Sequence, residues 1–453
     1  MNLMKAHSAN NVDSEFIYFL KGRKPFFYKR KNFMKKLTNI LLVSLSLLAI
    51  VGCSSTPSDD GKEEISIWWP SGNALKKIME EAIDSYKNEN PNVSIKVVKK
   101  AGLDVYDAYK LALNDNKSRP DITILDHVYV QTLAHENQLA NLNDLGVDEI
   151  KNLYPENVYL ANSYNNNIYG LPLSANTVTL MYNKNILKEA GYVDENGEAK
   201  APKTYQDLID ACEKVKNNTN YTPFAQPIND SFVAMEFASY VSRCGGKLVS
   251  DDYRNVLLNS NEVKEAVNKW VGLSKYASQN EFEEGKFYTG KIAFIEMGSW
   301  NISKVSGTSS IFDCGFTEMV SLEDGIENYS GLGLYSFVVA EKSSHKQAAY
   351  DFAKYLSTNK EFQLEFAKEK SLFPVTKEAL ADDYYINDKI NKVFASQLEK
   401  VTSRPGTPAW PLMEQQIVNM LYSCVTASSA ESIENAINEA QIASQNETDR
   451  KFK

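Results

Sequence analysis

The order of apolar patterns between residues 63 and 125 restricts the fold more than any other feature of the sequence. A strand pattern at residues 65–69 ends at the turn sequence PSG of residues 70–72. The next segment places one set of apolar residues on a single helix face: Leu75, Ile78, Met79, Ala82, Ile83 and Tyr86. Two further strand patterns follow, an alternation at Val93, Ile95 and Val97 and an apolar run at residues 121–125. This succession predicts an α/β fold with a parallel sheet covered by helices.

The first strand ends in two adjacent tryptophans, Trp68 and Trp69. Successive side chains of a strand point to opposite faces, so at most one of the two can join a given core face. Ligands of such sheets bind at the carboxyl ends of the strands, where Asp126 also lies. The second tryptophan therefore either packs elsewhere or is available to a ligand.

Length and charge exclude several classes of protein. A chain of 453 residues is too long for one ordinary domain and indicates at least two lobes. A formal net charge of −9 argues against nucleic acid as a partner. The sequence has no HExxH, Walker or GxSxG motif, and its four histidines lack metal-ligand spacing. We expect no cofactor and no metal.

The segment from Met34 has the features of a secretory signal. Lys35 and Lys36 precede an apolar run that is shorter than the about 20 residues of a membrane span. The run ends in Ile-Val-Gly before Cys53, which resembles the lipobox of bacterial lipoproteins. We predict a signal peptide at 34–52, lipidation at Cys53 and a tether at 53–62. Residues 1–33 fit none of these, and Met34 is the expected start.

Six motifs in the body resemble the family 1 extracellular solute-binding proteins of ABC importers, the carbohydrate-type group. They are YGLPLSANTVTLMYNKNILKEAG (169–191), PKTYQDLIDACEKV (202–215), GKIAFIEMGSWNI (290–302), GLGLYSFVVAEKSSHKQAAYDFAKYLS (331–357), LFPVTKEA (372–379) and RPGTPAWPLMEQQI (404–417). Two positions depart from the family pattern. Ser299 stands where many members have proline, and SLFP at 371–374 lacks the glycines that often precede its proline.

The resemblance implies a two-lobed fold, each lobe a sheet flanked by helices, with hinge strands between them. The implied bounds are 62–175 with 335–378 for lobe one, and 178–331 with 383–447 for lobe two. The implied crossings lie near Asn176, Gly333 and Ala381. Ligand binds between such lobes, which close on it like a hinge.

The resemblance also implies which residues contact the ligand. A sugar ring needs an aromatic platform and planar hydrogen-bonding groups. Carried over by position, the family's cleft residues are Trp68 or Trp69, Ser71, Asp126, Asn176, Trp300 and Trp410, with Gly331 and Gly333 letting the backbone approach ligand. Other interpretations remain for some of them. Trp300 and Trp410 can be core residues, Asp126 a helix cap, Asn176 a hinge residue, and the weaker candidate Arg404 an ion-pair residue. Two prolines flank Trp410, which favours a loop.

The resemblance implies a non-catalytic receptor that binds a sugar or oligosaccharide and delivers it to the permease subunits of an ABC importer. We expect a monomer, lipid-anchored at the outer face of the bacterial cytoplasmic membrane. A surface adhesin or structural lipoprotein is the alternative, and a glycoside hydrolase is a weaker one, because paired carboxylates need no local motif. Cys212 and Cys424 lie on apolar helix faces and are expected to be buried thiols, whereas a Cys244–Cys314 disulfide stays open.

Overall fold

Among the described residues, two larger β-sheets of five and four strands organise the fold, beside two sheets of two strands. The structure is a computed structural model that describes residues 62–103, 105–228, 231–278, 282–307 and 310–453. The signal peptide, Cys53 and almost all of the tether predicted above lie outside the described residues. The described residues fall within one compact unit, 59–453.

The strands of the described residues have two to eight residues each. Their bounds are β1 Glu63–Pro70, β2 Val93–Lys100, β3 Ile122–Asp126, β4 Ser163–Tyr164, β5 Asn167–Ile168, β6 Leu171–Asn176, β7 Val178–Asn183, β8 Thr222–Ala225, β9 Ile292–Gly298, β10 Cys314–Thr317, β11 Ser330–Gly331, β12 Gly333–Val339 and β13 Val401–Thr402.

Helices connect and cover the strands. Their bounds are α1 Asn73–Glu89, α2 Tyr106–Ala112, α3 His127–His135, α4 Glu156–Leu160, α5 Lys184–Glu189, α6 Tyr205–Asn218, α7 Ser231–Arg243, α8 Asn261–Ser274, α9 Glu284–Tyr288, α10 Ile302–Val305, α11 Lys346–Thr358, α12 Lys360–Lys370, α13 Lys377–Leu380, α14 Asp383–Ile386, α15 Lys389–Leu398, α16 Trp410–Val425 and α17 Ala430–Lys451. Short 3₁₀ helices occur at Leu142–Leu145, Val147–Leu153 and Ser299–Asn301.

The first sheet has the order β2-β1-β3-β12-β6 and, with its helices, is called lobe one. β1 runs parallel to β2 and β3, as the sequence predicts. β12 is antiparallel to both β3 and β6, so the complete sheet is mixed. The reason is topological, because β12 enters this sheet only after the chain has passed through the second one.

The second sheet, called lobe two with its helices, has the order β10-β7-β9-β8. The chain leaves lobe one between β6 and β7, where Asn176 ends one strand and Val178 begins the other. It returns between β11 and β12, and Gly333 pairs directly with Asn176 in the ladder. The two crossing segments therefore run side by side. α15 later packs on β7 and β10, which places the chain in lobe two again after α14.

Local sequence signals account well for the helices. α1 buries the six residues of its predicted apolar face. α6 begins at Thr204, whose side chain accepts from the Asp207 backbone N–H while the Asp207 carboxylate accepts from the Thr204 N–H. This capping box satisfies two backbone donors that would otherwise lack a partner at the helix start.

α3 contacts lobe two at both of its ends. Near its start, Val128 is buried in the core of lobe two, and α3 contacts α16. Past its end, Glu136 forms an ion pair of 2.9 Å with Lys451 of the C-terminal helix. The ring of Phe452 packs against His135, with centroids 5.8 Å apart. One helix of lobe one thus contacts the second lobe at both ends.

The four cysteines of the described residues are free thiols. Cys212 and Cys424 are buried, as predicted from their positions on apolar helix faces. The Cys244–Cys314 disulfide that the sequence leaves open is absent from the described residues. Among those same residues, no helix combines the length and the apolar content needed to cross a bilayer.

Candidate functional site

A cavity of about 580 Å³ lies where the crossing strands meet the edges of both sheets. Asp126 ends β3, Asn176 ends β6 and Gly333 begins β12, so lobe one and the crossings supply one wall. Trp300, Phe232 and Met235 supply the wall from lobe two. A concave site between two sheets, with apolar walls and a few convergent polar groups, has the general form of a small-molecule site.

Trp300 forms the aromatic wall because of a glycine two residues earlier. A Cβ at Gly298 would lie 1.9 Å from the indole ring, so only glycine lets the ring fold back over the end of β9. Phe232 meets the ring edge-on, with centroids 5.9 Å apart. Trp300 is half-buried, and it retains surface for a ligand. The alternative interpretation of Trp300 as a core residue therefore holds only in part.

Asp126 and Arg404 form the polar centre of the cavity. The two are 278 residues apart, and Arg404 Nη2 donates to Asp126 Oδ2 at 2.5 Å. Arg404 also lies 3.7 Å from Glu414 Oε1, so one guanidinium is shared by two carboxylates. The arginine side chain is 6% exposed, and the pair is therefore largely shielded from water. Arg404 is an ion-pair residue, as its alternative interpretation says, and it also lines the cavity.

Their surroundings shift the pKa values of the Asp126 and Glu414 carboxyl groups in opposite directions. Burial alone would raise the pKa of Asp126, but the Arg404 guanidinium and the adjacent His127 ring outweigh it and hold that pKa well below its usual range. Burial and the neighbouring Asp126 raise the pKa of Glu414 above its ordinary value despite Arg404. Asp126 also caps α3 by accepting from the Val128 N–H at 3.4 Å. The Asp126 side chain thus both caps α3 and lines the cavity.

Two glycines at the crossing leave room for neighbouring side chains. A Cβ at Gly333 would lie 2.1 Å from Asn176 Oδ1, and one at Gly331 would lie 2.8 Å from Met235 Cγ. Their missing side chains make room for neighbouring protein atoms. Gly333 lines the cavity, whereas Gly331 is buried at the crossing and does not. Asn176 is 5% exposed and lies at both the crossing and the cavity.

Neither tryptophan of β1 lines this cavity. Trp69 is 2% exposed, donates from Nε1 to Leu75 O at 2.9 Å and packs against Phe362 and Phe366, so it is a core residue. Trp68 points to the other face of the sheet, where the edge of Tyr109 meets it. Helices cover both faces, which is why alternation alone does not send either ring into the cavity. Ser71 is exposed at the end of β1, also outside it.

The prediction of a loop at Trp410 is wrong. Trp410 is the first residue of α16, and Pro411 occupies the helix start, where its missing N–H costs nothing. The indole is fully buried in the core of lobe two, which agrees with its core alternative. Trp410 lies on the same helix as Glu414, the second carboxylate near Arg404.

Several lining residues escaped the sequence analysis. Tyr335 pairs with Asp126 in the ladder between β12 and β3, and Phe232 projects from α7. The loop after α12 contributes Ser371, whose φ of 52° is the left-handed value that glycine favours. The signal in the sequence that could have indicated Tyr335 was its position two residues after Gly333. No such signal was available for Phe232, because helix periodicity does not show which residues face a neighbouring lobe. The described residues contain no cluster of metal-ligating side chains.

A cavity between two α/β lobes joined by adjacent crossing strands defines a class of hinge-closing ligand-binding proteins. The family model described as bacterial extracellular solute-binding protein matches residues 81–393, and the chain belongs to that family. This family consists of binding proteins.

Relatives and solved structures agree with this assignment. The chain is 25% identical over 360 residues to the maltotriose-binding protein of Pyrococcus abyssi, a match covering 77% of this chain and 74% of that protein. It is 22% identical to a maltooligosaccharide ABC transporter solute-binding lipoprotein of Streptococcus pneumoniae, covering 87% and 93%. The crystal structure of the cyclic alpha-maltosyl-1,6-maltose binding protein from Arthrobacter globiformis superposes with a TM-score of 0.73 at 20% identity, covering 86% of this chain and 100% of that one. The two-lobed fold is thereby confirmed.

Proposed function

We propose that this protein binds a sugar or oligosaccharide in the cavity between its lobes and delivers it to an ABC importer. The observation that carries the proposal is the pairing of an aromatic wall, Trp300 with Phe232, and a buried planar polar pair, Asp126 with Arg404. The C–H face of a sugar ring stacks on the first, and its hydroxyl rim pairs with the second. The family and the names of its relatives point to the same class of ligand.

The charge balance of the cavity favours an uncharged ligand. Arg404 is already shared by Asp126 and Glu414, so its positive charge is compensated before any ligand enters. The other charged residues of the lining, Glu369 and Lys370, are of opposite sign, so the lining carries no excess positive charge of the kind that a phosphate or sulfate would favour. An ionised Asp126 instead supplies acceptors for hydroxyl groups, and Arg404 holds it in one orientation.

The family supports a receptor without catalysis, because its members are binding proteins. We propose that the cavity residues bind ligand and that closure of the lobes reports the bound state to the importer. Contact with ligand is proposed for Asp126, Asn176, Trp300, Gly333 and Arg404.

The N-terminal segment completes the proposal. Lipidation at Cys53 would anchor the mature chain at the outer face of the cytoplasmic membrane with two acyl chains, and residues 54–62 would act as the tether. The test is to express the full chain and its Cys53→Ser variant in a bacterium and to follow the protein by fractionation. The wild-type protein should sediment with membranes, and the variant should not. Equal partitioning of the two would refute the anchor.

The test of ligand binding is calorimetric titration of residues 54–453 with mono- and oligosaccharides, polyols and sugar phosphates. Binding of an uncharged saccharide is the expected result, and Trp300→Ala should weaken it at least tenfold. Tyr422→Ala is the matched control, since Tyr422 is 44% exposed on α16 and lines neither the cavity nor its walls. No heat from any saccharide, or binding of sugar phosphates alone, would overturn the proposal.

A further inference from the structure

Lobe two buries two carboxyl groups and one arginine in a single cluster. Glu236 and Arg243, both of α7, are fully buried, and Glu296 of β9 is 3% exposed. Arg243 Nη1 lies 3.5 Å from Glu296 Oε1, and the Tyr240 hydroxyl donates to Glu296 Oε2 at 3.0 Å. Glu296 is therefore the carboxylate that the arginine and the tyrosine stabilise.

The surroundings of Glu236 favour its protonated form. Neither of its carboxyl oxygens accepts a hydrogen bond from a donor in the described residues, and a buried carboxylate without donors is very unfavourable. Burial and the adjacent Glu296 carboxylate raise the pKa of Glu236 well above its ordinary value, although Arg243 opposes them. A protonated Glu236 instead supplies the donor itself, toward Glu296.

The cluster adjoins the wall that lobe two contributes to the ligand cavity. On α7, Glu236 lies one turn after Phe232, which lines the cavity. On β9, Glu296 and Gly298 point to the same face of the strand. The Trp300 ring folds back over the Cα of Gly298, so the ring lies on the face that also carries Glu296. Both elements of the cluster thus carry or support one ring of the aromatic wall.

We propose that protonated Glu236 is a positioning residue, which holds α7 against β9 and thereby keeps Phe232 and Trp300 edge to face. When the proton leaves to solvent, two buried carboxylates share one arginine and repel each other. Movement of α7 away from β9, or entry of water between them, relieves the repulsion and displaces Phe232 from the indole. Glu236 itself does not line the cavity and acts on a ligand only through these two rings. The inference rests on the proposed function for its consequence, weaker saccharide binding at high pH.

The titratable and charged groups around Glu236 come from few elements. Glu296 acts on it from β9, and Arg243 and Tyr240 lie on its own helix. Tyr205, at the start of α6, acts on the cluster through Tyr240. Within the described residues, α8, α16, β11 and β13 also pack on α7 without contributing a charge that acts on Glu236. The pH response therefore belongs to Glu236 and Glu296 as a coupled pair.

The experiment is fluorine NMR of the ligand-free protein, residues 54–453, with fluorotryptophan at all five tryptophans, recorded from pH 5 to pH 9. Trp300→Phe assigns the resonance of the cavity wall. In wild type this resonance should shift as the pH rises. In Glu236→Gln, whose amide keeps an uncharged donor, it should stay at the low-pH position. Glu195→Gln, an exposed substitution in the loop between α5 and α6, is the matched control and should follow wild type.

The other tryptophans separate a positioning role from a purely structural one. Trp270 packs on Tyr240 with centroids 5.0 Å apart and reports the cluster itself, whereas Trp69 belongs to the core of lobe one. A shift of Trp270 without one of Trp300 would overturn the proposal, and so would a shift of Trp69 with the same profile.

The proposal would equally be overturned by a Trp300 resonance that stays fixed in wild type, or by one that shifts as much in Glu236→Gln. The wild-type profile alone can thus refute it, whether or not the variant folds. Because no ligand is present, absence of saccharide binding would overturn the proposed function and leave this result unaffected.

Discussion

Replacing Arg404 with methionine tests the polar centre of the cleft most directly. The substitution keeps an unbranched side chain but removes the charge, and it leaves Asp126 and Glu414 facing each other without a cation. Breaking a buried ion pair by removing one partner costs about 3–5 kcal/mol. Asp126 keeps 19% exposure, so we expect the lower end, about 3 kcal/mol at pH 7.

The pH dependence separates this electrostatic cost from loss of packing. In wild type the depressed pKa of Asp126 contributes stability above its unfolded pKa of about 3.9, and that contribution disappears as the pH falls through the folded pKa. In Arg404→Met, burial acts without the guanidinium and raises the pKa of both carboxyls. They take up protons as the pH falls from 7 to 5, so much of the loss should be recovered.

Urea unfolding followed by tryptophan fluorescence at pH 5, 6 and 7 measures both quantities. With a slope of about 3 kcal/mol per molar, the midpoint at pH 7 should fall by about 1 M urea. Arg119→Met is a control, because that arginine donates to backbone carbonyls and to Asn116 away from the cleft. A deficit in Arg404→Met that stays constant between pH 5 and pH 7 would refute the assignment of the cost to uncompensated carboxylates.

Two further predictions concern lobe two. Gly298→Ala should displace the Trp300 ring, since the new Cβ would lie 1.9 Å from it, and saccharide affinity should fall at least tenfold. Gly285→Ala is the control and should bind normally, because its new Cβ would meet no atom within 4 Å. Normal binding by Gly298→Ala would contradict the role of Trp300. Burial and the nearby Glu296 carboxylate raise the pKa of Glu236 well above its ordinary value, so its contribution to stability is complete below about 4.3 and is lost as the pH rises through the folded pKa. Glu236→Gln should flatten that decline in urea unfolding between pH 5 and pH 8, and parallel curves for the two proteins would refute it.

Much of the fold could be predicted from local sequence patterns. The face of α1 and the cap of α6 depend on residues a few positions apart, and the sequence predicts both. The site depends on partners far apart in the chain. Phe362 and Phe366 decide that Trp69 belongs to the core, and they lie about 290 residues beyond it. Alternation in a strand gives two faces but does not say which face a helix will cover.

The same distinction explains Trp410 and Arg404. Prolines on either side of Trp410 favour a loop in any local argument, although a helix start accepts proline equally well. The role of Arg404 depends on Asp126, a residue 278 positions away in another lobe. A charged residue on a loop can be exposed to solvent in many conformations. Only the folded cleft shows why Arg404 is buried.

The contacts between α3 and the C-terminal helix have a practical consequence for sensor design. α3 begins at Asp126 beside the ligand cavity and is followed by Glu136, which pairs with Lys451. An environment-sensitive dye attached at position 452 would therefore lie against the far end of a helix whose N-terminal cap lines the cavity. Such a dye would report a change at this contact without occupying the cavity.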